Sequence, residues 1–146
     1  MKKTLIILVL FPILISFNSY GGSSDKTVCV ETDAQIRDDI IYLPNETEPF
    51  TGNNLCKYEN GQIKSKGEIK DGRPEGKFIE WYENGQIWRE ATIKNDELDG
   101  KQTGWYENGQ IEFEQHYKDG KEVGETKYAY NEKGQIEQRK TTKTTI

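Results

Sequence analysis

Few residues in this chain could make or break bonds. His116 is the single histidine among 146 residues, which excludes a metal centre built on two or more imidazoles. A Ser–His–Asp arrangement would have to combine Ser23, Ser24 or Ser65 with His116, and none of these serines sits in a nucleophile-elbow setting. A Cys–His pair could only use Cys29 or Cys56, both far upstream of the histidine. Glu59, Glu83 and Glu107 recur beside turns. Such repetition suits turn chemistry, because acid–base catalysis needs two carboxylates in unlike environments. Asp96 and Asp99 stand near Gly100, but the calcium-loop ligand pattern is missing. Glycine-rich phosphate loops are absent too. The expectation is a protein that is not an enzyme and uses no cofactor and no metal.

Cys29 and Cys56 raise a different possibility. In an oxidising compartment two cysteines favour one disulfide. The alternative is two unpaired thiols on separate strands, and a mass difference of two hydrogens separates the readings.

The elements that carry these residues are repeated. "WYENGQI" stands at 81–87 and 105–111, "KYENGQI" at 57–63, and "YNEKGQI" at 130–136 is a fourth copy with one residue added. Gly52, Gly76, Gly100 and Gly124 are 24 residues apart, as are Tyr58, Tyr82, Tyr106 and Tyr130. Such self-similarity marks an array whose units contact mainly their neighbours. Four units are expected, over 52–75, 76–99, 100–123 and 124–146, after an N-terminal cap segment at 22–51. Asn60-Gly61, Asn84-Gly85 and Asn108-Gly109 read as two-residue hairpin turns. Asp71-Gly72, Asn95-Asp96 and Asp119-Gly120 serve as the return turns. Flanks rich in Tyr, Trp, Ile, Phe and Thr are strand-like. The fold class is all-β, an antiparallel meander of stacked hairpins. Asp33 to Ile41 reads as one short helical turn.

With two-residue turns, Tyr82 faces Ile87 and Trp81 faces Trp88. Alternation then puts Tyr82, Ile87 and Ile93 on one side, with Tyr58, Ile63, Ile69, Tyr106, Ile111 and Tyr117. Gly61, Gly85, Gly109 and Gly134 belong to the turns, and Tyr130 and Ile136 repeat the pattern in the last unit. This constant side is read as packing, with His116 pointing away from it. The opposite side carries all three tryptophans, Trp81, Trp88 and Trp105, where other units have residues such as Lys57, Lys64 and Glu112. Trp81 and Trp88 could be a cross-strand pair that strengthens the sheet. They could equally form an exposed aromatic strip of the kind enriched at binding hot spots. Trp81, Trp88, Trp105 and Glu112 are the candidate partner-binding residues.

The N-terminus reads as a targeting signal. Lys2 and Lys3 precede an apolar run from Leu5 to Ile15, and Ser19-Tyr20-Gly21 offers small residues at a cleavage site. The run is too short to span a bilayer, which takes about 20 residues. The expected product is exported, periplasmic or extracellular, and begins near Gly22. Removing residues 1–21 takes away two lysines and no acids, which moves the formal charge from −5 to −7. An acidic chain without a basic run suits neither nucleic acid nor anionic lipid.

A glycine, then Tyr-Glu-Asn-Gly-Gln-Ile, then a Lys-Asp-Gly turn and a further glycine together resemble the MORN-repeat variant of many bacterial proteins. Members of that family include YwqK-type antitoxin components. "YLPNETEPFTG" at 42–52 is similar to the segment preceding the first repeat in exported members, and the resemblance covers roughly residues 40–137. It implies an elongated, twisted single sheet that makes protein–protein contacts. A cytoplasmic antitoxin role fits poorly with the export signal, and the lipid contacts of some eukaryotic members fit poorly with an acidic chain. The expected function is a protein-interaction module, with antitoxin-like or immunity-like action as one version. A carbohydrate-binding envelope module and a structural spacer are the alternatives.

Overall fold

The structure is a computed structural model that describes residues 26–144. The expected leader at 1–21 lies outside the described residues, as do Ser23 and Ser24. Strands β1 (Thr27–Val28), β4 (Gly52–Lys57), β5 (Ile63–Lys70), β6 (Arg73–Trp81), β7 (Ile87–Lys94), β9 (Gly100–Trp105), β10 (Ile111–Lys118), β11 (Lys121–Tyr130) and β12 (Ile136–Lys143) follow one another across a single open sheet. A short β8 (Glu97–Leu98) pairs antiparallel with the end of β7. Every pairing is antiparallel except that of β1 with β4. Helix α1 is Val30–Asp33, and β2 (Gln35–Arg37) with β3 (Ile40–Tyr42) makes a separate hairpin. The helical turn expected over Asp33 to Ile41 is therefore mostly a hairpin. Asp38 and Asp39 both take positive φ, 50° and 61°, between the paired Arg37 and Ile40. Two adjacent acidic residues tolerate that conformation and make a tight turn.

The two kinds of turn inside the array differ from expectation. At Asn84-Gly85 the loop has three residues. Gly85 N–H donates to the Tyr82 carbonyl at 2.9 Å, and Tyr82 N–H donates to the Gln86 carbonyl at 2.8 Å. Only Gly85 has positive φ, +85°. Asn84 stays out of that region because its side-chain oxygen accepts the Gln86 N–H at 2.9 Å, a local bond that favours a type I turn followed by a left-handed glycine. The first and third units repeat these bonds. The register consequently shifts between Glu80 and Trp81, and Trp81 pairs with Ile87 instead of Trp88. The return turns are the two-residue loops. Asp71-Gly72, Asn95-Asp96 and Asp119-Gly120 all have positive φ at both positions, closed by Lys70 with Arg73, Lys94 with Glu97 and Lys118 with Lys121.

Each return turn is also capped from the preceding unit boundary. Thr51 Oγ1, Glu75 Oε2 and Asp99 Oδ2 accept the N–H of Asp71, Asn95 and Asp119 at 2.9, 3.2 and 3.3 Å. Asp96 is engaged by Arg73. The acidic residues near Gly100 thus have turn and ion-pair roles. The 24-spaced glycines do not share one role: Gly76 and Gly100 hold φ of +76° and +100°, whereas a side chain at Gly52 would strike the Lys26 carbonyl.

The core sits at one end. Ile41, Leu43, Phe50 and Ile69 are buried together, with Val28, Val30, Ala34 and Phe78 packed against them. Residues 26–50 thus cover one face of the sheet over its first strands. The Cys29–Cys56 disulfide ties them down, with the two Cα atoms 4.5 Å apart. Ile41 N–H to the Gly72 carbonyl at 2.9 Å and Gly72 N–H to the Phe50 carbonyl at 2.7 Å join cap and sheet. Among the described residues, Ala91 is the sole buried apolar side chain beyond this end. The packing expected of the constant side differs by position, and Ile69 is buried in this core at 2% exposed. Ile63 and Ile136 are 38% and 58% exposed, and Tyr106 is 39% exposed, because a single sheet gives those turn-end positions nothing to pack beneath.

Candidate functional site

The loops at the Tyr-Glu-Asn-Gly end are laced to one another. Tyr58 Oη donates to the Trp81 carbonyl at 2.6 Å, and Tyr82 Oη to the Trp105 carbonyl at 2.7 Å. Asn60 and Asn84 donate side-chain N–H groups to the Glu83 and Glu107 carbonyls at 3.1 and 3.0 Å. Repeated Tyr and Asn thus act sideways, fixing the spacing of one unit to the next. Each such bond contributes about 1 kcal/mol.

This lacing decides where the tryptophans lie. Trp81 and Trp105 are half-buried beside the carbonyls that accept the tyrosine bonds, while Trp88 is 43% exposed. The expected Trp81–Trp88 pair is not formed. Instead the Tyr82 and Trp88 rings approach with centroids 6.3 Å apart. Strict alternation would place these two on opposite sides, and the register shift brings them together. Arg89 lies over the Trp88 ring at 5.2 Å and also bonds Glu80 through Nε at 2.7 Å. Burial, followed by the negative charge of Glu112, pushes the Tyr82 phenol above its ordinary pKa.

The face covered by the cap at the first repeat continues uncovered over the later ones. There Phe78, Ala91, Ile93 and Leu98 line a depression of about 260 Å³, rimmed by Glu80, Arg89 and Gln102. Next to it, Gly104 pairs with Phe113, whose ring occupies the space that a side chain at Gly104 would need. Gln115 then links Gln102, Glu122, Glu125 and Tyr117 by bonds of 3.1–3.3 Å. A second depression, about 360 Å³, is lined by Tyr106, Glu112, Phe113, Gln115, Glu125, Lys127 and Tyr128. Of the residues singled out from sequence, Trp88 lies near the first and Glu112 lines the second. Trp81 and Trp105 are elsewhere in the loop lacing.

The opposite face is ionic. Lys77 bonds Glu90 at 2.8 Å, Lys101 bonds Glu114, and Tyr128 Oη donates to Glu114 at 2.6 Å. His116, paired with Lys101, is exposed and lies one residue out of phase with Tyr117, as expected. Ser65 is buried on β5 and accepts the Asn54 side-chain N–H at 3.0 Å. With β5 and β10 four strand spacings apart, Ser65 and His116 are about 19 Å from meeting.

Segments 50–71, 74–95 and 98–119 each match the profile of the MORN repeat variant. Three consecutive units of the array are thus similar to MORN-variant repeats. The matches stop at residue 119, ahead of the unit with the added residue. None of the curated proteins searched matches the chain. Within the repeats, sequence reasoning missed Phe78, Arg89, Ala91, Leu98 and Phe113, because these positions differ from unit to unit. One signal could have found the two rings. Gly67 and Gly104 fall inside strands and outside the 24-residue series, and a glycine in a strand interior marks close approach by a neighbour.

Proposed function

We propose that this chain is an exported, non-enzymatic repeat protein that binds another protein with the uncovered face of its second and third repeats. One observation carries the reading. The cap buries this face over the first repeat, while the same face stays open beyond it, with Phe78, Ala91, Ile93 and Leu98 in a shallow depression and Trp88 exposed nearby. Interface centres favour such apolar and aromatic groups next to a bonded Arg. Export is supported by the signal-like N-terminus and the disulfide. An immunity-like or antitoxin-like role is the version in which the partner is a toxin acting outside the cytoplasm.

The test is affinity capture from envelope and secreted fractions with the chain starting at Gly22. It is run beside a Trp88→Ala, Leu98→Asp variant and a Trp81→Ala, Trp105→Ala variant, each checked for folding by circular dichroism. A protein retained by the native chain and lost only with the first variant supports the reading. Equal retention by all three places the contact elsewhere. Retention on purified cell wall, with no protein captured, replaces the protein partner by carbohydrate.

A further inference from the structure

The third junction in the array is built differently from the first two, and the difference leaves chemistry free. The added residue lengthens β11 to ten residues. Asn131 then takes the turn position held by tyrosine elsewhere, with Asn131 N–H donating to the Gln135 carbonyl and Gly134 N–H to the Asn131 carbonyl, both at 2.9 Å. Tyr130, displaced by one position, pairs with Ile136 and sends its hydroxyl back to the Ile111 carbonyl at 2.9 Å. Tyr58 and Tyr82 each close a junction by bonding forward. Among the described residues, the hydroxyl of Tyr106 has no such partner, and its ring is 39% exposed.

The opening at this junction is the 360 Å³ depression. Its size is at the low end of ligand pockets, roughly 300–1,000 Å³, which suits one side chain better than a cofactor. Its polar groups are not equally free. Lys127 is bonded to Glu125 at 3.3 Å, and Tyr128 donates to Glu114 at 2.6 Å on the ionic face. Among the described residues no cation is paired with Glu112. The Tyr128 ring is already faced by Arg139 at 5.7 Å. Left available are the Glu112 carboxylate, the Tyr106 side chain and the Phe113 ring.

We infer that this depression receives an arginine side chain displayed by the partner protein, its guanidinium against the Tyr106 and Phe113 rings and hydrogen-bonded to Glu112. A planar cation satisfies both demands at once, since guanidinium stacks on rings and donates to carboxylate in one orientation. The chain's formal charge of −5 attracts basic partners generally. The assignment rests on the protein-binding reading above and names the partner chemistry at its C-terminal margin.

The test is an NMR titration of the chain from Gly22 with acetyl-Gly-Gly-Arg-Gly-Gly-amide, against the same peptide with citrulline, which keeps the shape and lacks the charge. The expected result is saturable shifts of the Tyr106 and Phe113 ring resonances, with a Kd on the order of 1 mM. Citrulline should bind roughly ten-fold more weakly, and Glu112→Gln, which preserves the fold, should weaken the arginine peptide by a similar factor. Absence of shifts, equal binding of both peptides, or unchanged binding by Glu112→Gln and Tyr106→Ala overturns the assignment. If the peptide fails while capture still depends on Trp88 and Leu98, the arginine site falls and the protein-binding reading stands. If the peptide binds while no protein is captured, the reverse holds.

Discussion

Gly67→Ala should destabilise the protein, although alanine normally improves on glycine in a strand. A Cβ at Gly67 would lie 2.1 Å from two carbons of the Phe78 ring, against a comfortable carbon separation of about 3.5–4.0 Å. The ring cannot move away freely, since Phe78 packs against the cluster of Ile41, Leu43, Phe50 and Ile69. Overpacking of this kind costs about 1–3 kcal/mol. The opposing gain, from reduced freedom of the unfolded chain, is about 0.4–1 kcal/mol. The net loss should be about 1–2 kcal/mol, which at a urea slope of about 1–3 kcal/mol per M lowers the midpoint by roughly 0.5–1 M. The sign should reverse when the ring is gone. In a Phe78→Ala background, Gly67→Ala should stabilise by about 0.5 kcal/mol, so that the double-mutant cycle shows a coupling of about 1.5–2.5 kcal/mol. Urea unfolding followed by tryptophan fluorescence measures all four proteins. An equal effect of Gly67→Ala in both backgrounds would refute the ring-on-glycine contact as its cause.

Reduction of the Cys29–Cys56 disulfide, or Cys29→Ala with Cys56→Ala, should cost about 3–4 kcal/mol from the loop of 27 residue steps that it closes; urea midpoints with and without reductant test this. Tyr58→Phe and Tyr82→Phe should each cost about 1 kcal/mol by removing an inter-unit bond. Tyr106→Phe should cost close to nothing, and urea midpoints of the three variants check both statements. The hydrogen bond from Lys101, then that from Tyr128, holds the Glu114 carboxyl below the usual glutamate pKa. A group depressed in the folded state contributes stability that is present above its unfolded pKa and lost as pH falls through its folded one. The stability advantage of the native chain over Glu114→Gln should therefore be complete at neutral pH and disappear on acidification below the ordinary glutamate range, as followed by urea unfolding at a series of pH values.

The sequence alone determines the period, the all-β class and the positions of the turns within the array. These properties are local or self-repeating: a turn residue, a strand former or a 24-residue interval states its role without reference to the rest of the chain. Turn type was not legible, because it depends on whether the asparagine oxygen takes the Gln86 N–H. That one bond leaves Asn84 outside the left-handed region and Gly85 in it. From this small difference the register shifts by one residue, and Trp81 loses Trp88 while Tyr82 gains it. Side chains on a strand alternate, so an error of one residue exchanges the faces. The position of the core was also beyond the sequence. It lies where residues 26–50 fold back over Ile69 and Phe78, a contact between segments distant in the chain that no periodicity announces. The open face with its two depressions is what that cap leaves uncovered. Only tertiary structure could decide its extent, because burial is a property of which segments meet.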